Sequence, residues 1–292
     1  MNHSDERKQD TPRTLLSRLQ KWLHPAQAFY FDYDHILGTS VSLQFTCCDA
    51  TFANKANDLA LDEIRRLEII FSTFMPDSVL NRWVGTQRLP SELAQVLDLA
   101  EAWRTRTNGA YCASLTHPLA AWMKDSDGRY TRFNNHFITL NSVAKGFIID
   151  RICALVTTSI PDITGAVVNI GGDIFAYGIR PVEAGIQSTF DNEQPLCRIW
   201  LRNQALATSG VGRRGTHLID PRSNETATHI KLVSVIAPSA ALADILSTVC
   251  AVLRTHESLA LIDMQVGAAC FIVEANGGIH KSKAWLACEQ RH

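Results

Sequence analysis

Residues 230–253 read IKLVSVIAPSAALADILSTVCAVL. Ile230–Ala237 has the apolar run of a strand. Pro238-Ser239 then opens a helix that continues to about Leu253. Apolar side chains fall on nearly every side of that helix, so it is expected to be buried. Outward from this unit, the chain keeps alternating between the two kinds of element. Gly38–Thr46 alternates, with Val41, Leu43 and Phe45 apolar, and reads as a strand. Phe137–Leu140, Ala166–Ile170, Ile174–Tyr177, Leu196–Asn203 and Ala268–Val273 also read as strands. Helical spacing marks Phe52–Phe71, Ala144–Val156 and Glu257–Met264, and a helix over Glu92–Thr105 with Ser91 as its N-cap, ended by Asn108-Gly109. Arg180–Pro195 reads as a surface loop. Interleaved strands and helices give an α/β or α+β class.

The composition limits what such a fold could do. The chain has 292 residues, 46% hydrophobic and 20% charged, with 28 Lys+Arg against 29 Asp+Glu. A net charge of −1 excludes function by bulk attraction to nucleic acid or anionic lipid. The length allows one large domain or two small ones. Eight cysteines are scattered singly apart from the pair Cys47-Cys48, with no Cys-x-x-Cys. That spacing fits buried thiols in a reducing compartment better than a disulfide framework. Residues 1–25 carry five Lys/Arg and three Asp/Glu and no apolar core of the kind an export signal needs. The expectation is a cytoplasmic protein without a membrane anchor. Residues 1–28 read as a peripheral arm, with a short amphipathic stretch over Arg13–Leu23, and residues 29–290 as the folded body.

Four segments could carry chemistry. On the helix after Pro238, Asp244, Ser247 and Thr248 stand at i, i+3 and i+4 and share one face. A carboxylate in a buried helix needs a partner. Either neighbouring backbone or an arginine satisfies Asp244, or Asp244 and Thr248 offer oxygens to a hard cation such as Mg²⁺. In Val167–Asp173 a buried strand runs into Gly171-Gly172-Asp173. This is a tight turn between strands or a place where backbone N–H groups approach a phosphate. Lys145 begins a helix, which the macrodipole disfavours unless an anion is near; a solvated lysine is the alternative. Thr208-Ser209-Gly210 and His217-Leu218-Ile219-Asp220-Pro221-Arg222 place a histidine and an aspartate three residues apart, which is compatible with structural or acid–base roles.

Taken together and in order, these segments resemble the ApbE family, FAD-dependent flavin transferases once described as thiamine-biosynthesis lipoproteins. The resemblance runs from about Gly38 to Ala287. It is carried by Gly38-Thr39, Phe71-Ser72-Thr73-Phe74-Met75-Pro76-Asp77-Ser78 and Asn108-Gly109-Ala110-Tyr111. Val143-Ala144-Lys145-Gly146, Val168–Asp173, Ala207–Gly210, His217–Arg222 and Ala243–Thr248 complete it. The chain departs from the usual pattern at Asn141, where the family has Asp, at Cys112-Ala113-Ser114, at Val84, and at Asn224-Glu225-Thr226.

The resemblance implies a single T-fold-like α/β domain with FAD in a cleft between two lobes. It implies Mg²⁺ on the side chains of Asp244 and Thr248 and the carbonyl of Ala144. It implies FAD contacts from Gly38, Thr39, Phe74, Tyr111, Lys145, Gly171, Gly172, Asp173, Thr208, Ser209 and His217. The implied reaction cleaves FAD and attaches FMN by a phosphoester bond to a Thr or Ser of an acceptor flavoprotein, releasing AMP. Lys145 would hold phosphate charge, and His217 or Asp220 would position or deprotonate the hydroxyl. Alternatives are an FAD pyrophosphatase and a non-catalytic FAD-binding protein.

Overall fold

The structure, a computed structural model, describes residues 25–114, 120–133, 137–187, 194–210 and 218–289. The stretch Arg13–Leu23 and the residue His217 lie outside them. An eight-stranded sheet organises the rest. Its strands, in spatial order, are β1 (Gln27–Ile36), β2 (Thr39–Cys47), β6 (Gly165–Ile170), β7 (Asp173–Gly178), β10 (Gln204–Gly210), β13 (Ile230–Ala237), β14 (Ala269–Glu274) and β15 (Ile279–Lys281). Every neighbouring pair is antiparallel. Smaller pieces are the β3–β5–β4 ribbon (Thr86–Gln87, Tyr130–Arg132, Trp122–Lys124), the β8–β9 hairpin (Val182–Gln187, Pro195–Leu201), and β11–β12 (Ile219–Asp220, Glu225–Thr226). The helices are α1 (Ala50–Phe71), α2 (Val79–Arg82), α3 (Ser91–Arg106), α4 (Ala144–Ser159), α5 (Ala240–Val252), α6 (Thr255–Asp263) and α7 (Trp285–Cys288). None of them is long and apolar enough to cross a membrane.

Strand β13 shows why the opening stretch is so apolar. Val233, Val235 and Ala237 face a core shared with α1, α4 and α5, while Leu232 and Ile236 face a second core. That second core is closed by Ile186, Ile199, Leu201 and Trp285 from the β8–β9 hairpin and α7. Covered on both faces, β13 cannot alternate between apolar and polar. Strand β2 alternates: Val41, Leu43, Phe45 and Cys47 are buried and the residues between them are not.

Several local readings need correcting. Arg180–Pro195 is not a plain loop, because Val182–Gln187 pairs with Pro195–Leu201 and buries Ala184 and Ile186. Phe137–Leu140 forms only an isolated bridge, Ser114 to Ile138, with Phe137 exposed. Ser91 is the first helical residue of α3, not its cap; Pro90 holds the cap position and Ser91 Oγ donates to Glu92. Strand β1 begins at Gln27, inside the residues read as an arm, with Phe29, Phe31 and Tyr33 on its inner side.

Two helices meet unusually closely. A Cβ on Gly146 of α4 would lie 2.3 Å from the carbonyl oxygen of Ala240 on α5. The contact is knitted in both directions. Asp150 of α4 accepts the N–H groups of Ala240 (2.7 Å) and Ala241 (2.9 Å) at the start of α5. In return, Asp244 of α5 accepts the N–H of Gly146 at the start of α4. Each helix thus supplies an anion to the positive end of the other.

Burial pushes the Asp150 carboxyl up to about 6 from 3.8, against those two hydrogen bonds. A folded-state value above the unfolded one means that the native protein holds the proton more tightly. The stability this group adds is full below about pH 4 and is lost as pH rises through about 6. Asp150→Asn removes that dependence. In denaturant titrations, the stability of the wild type relative to the variant is expected to fall by roughly 2 kcal/mol between pH 4 and pH 7.

Candidate functional site

The start of α4 faces a cavity of about 540 Å³. Its walls come from three places: the β1–β2 turn with Leu37, Gly38 and Thr39; Glu68 and the stretch from Phe71 to Met75 at the end of α1; and Asn141, Ala144, Lys145 and Ile148 around the head of α4. The β1–β2 turn is tight because Leu37 and Gly38 both adopt positive φ. The α1 exit is held in shape by side chains. Asn81 Nδ2 donates to the carbonyls of Ser72, Thr73 and Met75, and Ser78 Oγ donates to Ser72 O. Phe74, 88% exposed, is presented on the rim by this loop.

Behind the cavity lies a buried charge cluster. Lys145 Nζ donates to Asp173 and to Asp244 Oδ2, the latter at 3.3 Å. The two carboxylates are nearly sealed, 3% and 4% exposed, so one ammonium serves two acids. Burial works against the lysine's charge, but Asp244 and Asp173 outweigh it and hold Lys145 above its ordinary range. Burial is also the main cause that raises Asp244, opposed by Lys145. Lys145 therefore does face anions at its helix start, and they are the protein's own.

The cluster ties four elements together. Asp173, at the head of β7, also accepts the N–H of Thr208 on β10 at 3.4 Å. Thr208 Oγ1 bonds Ser234 Oγ at 2.8 Å, and Ser209 Oγ bonds Ser247 Oγ at 2.8 Å. Ser247 and Thr248 hydroxyls both donate back to the Asp244 carbonyl at 3.0 Å. Asp244, Ser247 and Thr248 thus share a helix face as their spacing requires. Among the described residues no group of three or more His, Cys, Asp and Glu side chains is arranged to hold a metal ion. A cation here would rely on Asp244, the Thr248 hydroxyl and a backbone carbonyl.

The remaining candidates fall around this centre. Gly171 and Gly172 form the two-residue turn between β6 and β7, both at positive φ, with Gly172 N–H donating to Asn169. A Cβ on Gly171 would meet Thr39 Oγ1 at 2.8 Å, so this turn packs against the cavity wall. Gly171→Ala is expected to cost about 1–2 kcal/mol in thermal denaturation through left-handed strain and displacement of Thr39. Gly172→Ala, with open space around its Cβ, carries the backbone strain alone. Tyr111 is fully buried, and its hydroxyl accepts from Ser142 next to Asn141. Asp220 is turned to Arg222, which donates to both carboxylate oxygens and holds the carboxyl below its usual range.

Sequence reasoning missed Glu68, Asn81 and Asp150. Glu68 lies one turn before Phe71 on a helix already read as amphipathic, so helical spacing could have found it. Asp150 is an acid in a mostly apolar helix, the same signal that singled out Asp244.

The ApbE family profile matches residues 37–135 and 128–272. An FAD:protein FMN transferase of Treponema pallidum is 33% identical over 170 residues, 49% of this chain and 46% of that one. One from Klebsiella pneumoniae is 29% identical over 170 residues, 53% of this chain and 47% of the other. The chain therefore spans about half the length of these curated relatives. An ApbE protein of Thermotoga maritima has the same fold, with a TM-score of 0.75 at 23% identity over 91% of this chain and 100% of that one. With the profile covering most of its length, from the β1–β2 turn through the Asp244 helix into β14, the chain belongs to the ApbE family.

Proposed function

We propose that this protein transfers FMN from FAD to the hydroxyl of a Ser or Thr in an acceptor flavoprotein and releases AMP. The observation that carries this is the buried Lys145–Asp173–Asp244 cluster opening onto a cavity, in a chain of the ApbE family. The hydroxyl oxygen attacks the FMN-side phosphorus. That forms the phosphoester, breaks the P–O bond to AMP, which leaves with the electron pair, and frees the hydroxyl proton. Such a step depends mainly on positioning and charge neutralisation.

The donor set suits magnesium. Two sealed carboxylates share one ammonium, which leaves a negative charge for a cation to balance. The Thr248 hydroxyl donates inward to Asp244 O, so its oxygen lone pairs remain for a ligand. Asp244, Thr248 and the Ala144 carbonyl would hold the ion. Bound there, Mg²⁺ would polarise the pyrophosphate and offset charge on the departing AMP.

The chain's own groups do the rest. Lys145 meets phosphate charge, and Gly38, Thr39 and the Gly171-Gly172 turn lie against the cofactor. The exposed ring of Phe74 stacks on one of its aromatic systems. His217 is the residue to which the hydroxyl proton is assigned, since Asp220 is occupied by Arg222. The scattered cysteines, with no Cys-x-x-Cys among them, suit a reducing compartment, and we place the protein in the cytoplasm as a single domain that starts with β1 at Gln27. Purified protein, FAD, Mg²⁺ and a flavoprotein acceptor are expected to give a fluorescent acceptor band in a denaturing gel. AMP release at the same rate without any acceptor would replace transfer by hydrolysis.

A further inference from the structure

Lys145 stands where a cation at Asp244 would stand. We infer that Lys145 is the counter-ion of Asp244 in the metal-free protein and competes with the divalent cation for that carboxylate, Asp173 being the post that keeps the displaced ammonium. The inference rests on the magnesium reading above and adds a residue that sets the occupancy of that site.

Three features support it. First, the ammonium touches both acids, with Asp244 the longer contact at 3.3 Å. The weaker of two shared contacts is the one given up when a second cation arrives. Second, each acid is held in place without the lysine. Asp173 is fixed through its other oxygen by the N–H of Thr208, and Asp244 is fixed by the N–H of Gly146. The lysine can therefore move between two standing acceptors without unravelling either. Third, Lys145 has the reach and the room to shift between the two acids. Its side chain is 24% exposed, lines the cavity, and carries its charge on a flexible four-carbon stem. A lysine at a helix start works against the macrodipole, so its retention there requires the two aspartates. Sealed carboxylates left without any cation would be costly, and the lysine removes that cost while the site waits for metal.

The experiment uses the full chain, stripped with chelator and titrated with Mn²⁺ alone by calorimetry, without FAD or acceptor. Lys145→Met is expected to bind Mn²⁺ at least about tenfold more tightly than wild type, because a competing charge within about 4 Å is gone. Lys145→Gln, which keeps polarity, is expected to do the same. Asp173→Asn is expected to weaken binding, since the ammonium then stays on Asp244, and to have a much smaller effect in the Lys145→Met background. In chelator, Lys145→Met should melt lower than wild type, and Mn²⁺ should raise its melting temperature more. Wild-type binding that Lys145→Met and Lys145→Gln leave unchanged or weaken overturns the competition and leaves the metal reading standing. Binding that persists in Asp244→Ala, or is missing from every variant, overturns both.

Discussion

Asp244→Asn is expected to lower covalent flavin transfer at least about 10³-fold while the protein still folds. The size follows from what the carboxylate is asked to supply. Magnesium at a phosphoryl centre contributes several kcal/mol of charge stabilisation, and about 4 kcal/mol corresponds to a thousandfold in rate. Asparagine keeps the volume and one oxygen but removes the charge that would hold the ion. The fold should tolerate it. Asp244 is 4% exposed, so its charge is costly to bury, and Lys145 retains Asp173 as a partner when that charge is gone. The transfer rate is read from flavin fluorescence on the acceptor, and folding from thermal melting of the same sample. A variant that melts normally yet keeps transfer within tenfold of wild type would remove Asp244 from the reaction.

The helix that carries Asp244 was legible in the sequence because two patterns coincide on it. An apolar surface all round declares burial, and a lone acid within it declares a partner. The partner itself was not legible. Lys145 lies 99 positions away in the chain. Its own signal, a lysine at a helix start, pointed to a nearby anion or a solvated side chain without naming a partner, and the structure supplies Asp173 and Asp244. Long-range pairing of that kind depends on strand order. Strand β7 sits between β6 and β10, and this places the Asp173 carboxylate beside Thr208.

The missed elements share another cause. In Val182–Gln187 the buried positions are Ala184 and Ile186, and glycine occupies the position between them. So small a hydrophobic contrast does not register as alternation. Strand β1 was not read as a strand because aromatic residues occupy both of its faces: Tyr30 is 68% exposed while Phe29 and Phe31 pack inward. Where a strand lies at the sheet edge, composition loses its link to burial.

Gly146→Val should be strongly destabilising although it lies outside the charge cluster. Intrinsic propensity alone gives the opposite sign for the smaller Gly146→Ala, which would gain up to about 1 kcal/mol as a helix interior residue. Packing decides otherwise. A Cβ at this position would lie 2.3 Å from Ala240 O, 2.4 Å from Ala240 C and 2.5 Å from Ala241 N. All three atoms are backbone, so no side-chain rotation relieves the clash and α4 and α5 must separate. Separation stretches the bonds from Ala240 and Ala241 to Asp150, the bond from Gly146 to Asp244, and the contact between Lys145 and Asp244. Overpacking costs about 1–3 kcal/mol and each stranded buried polar group adds about 1 kcal/mol or more. A loss of about 3 kcal/mol or more is expected, which lowers the melting temperature by at least about 6 °C in a chain of this size. Gly146→Ala should follow in the same direction with a smaller drop. Transfer should fall in both variants even well below their melting temperatures, because the helix contact that sets the stability also sets where Lys145 and Asp244 stand. A Gly146→Ala protein that melts at or above the wild-type temperature would show that propensity, and not the helix contact, governs this position.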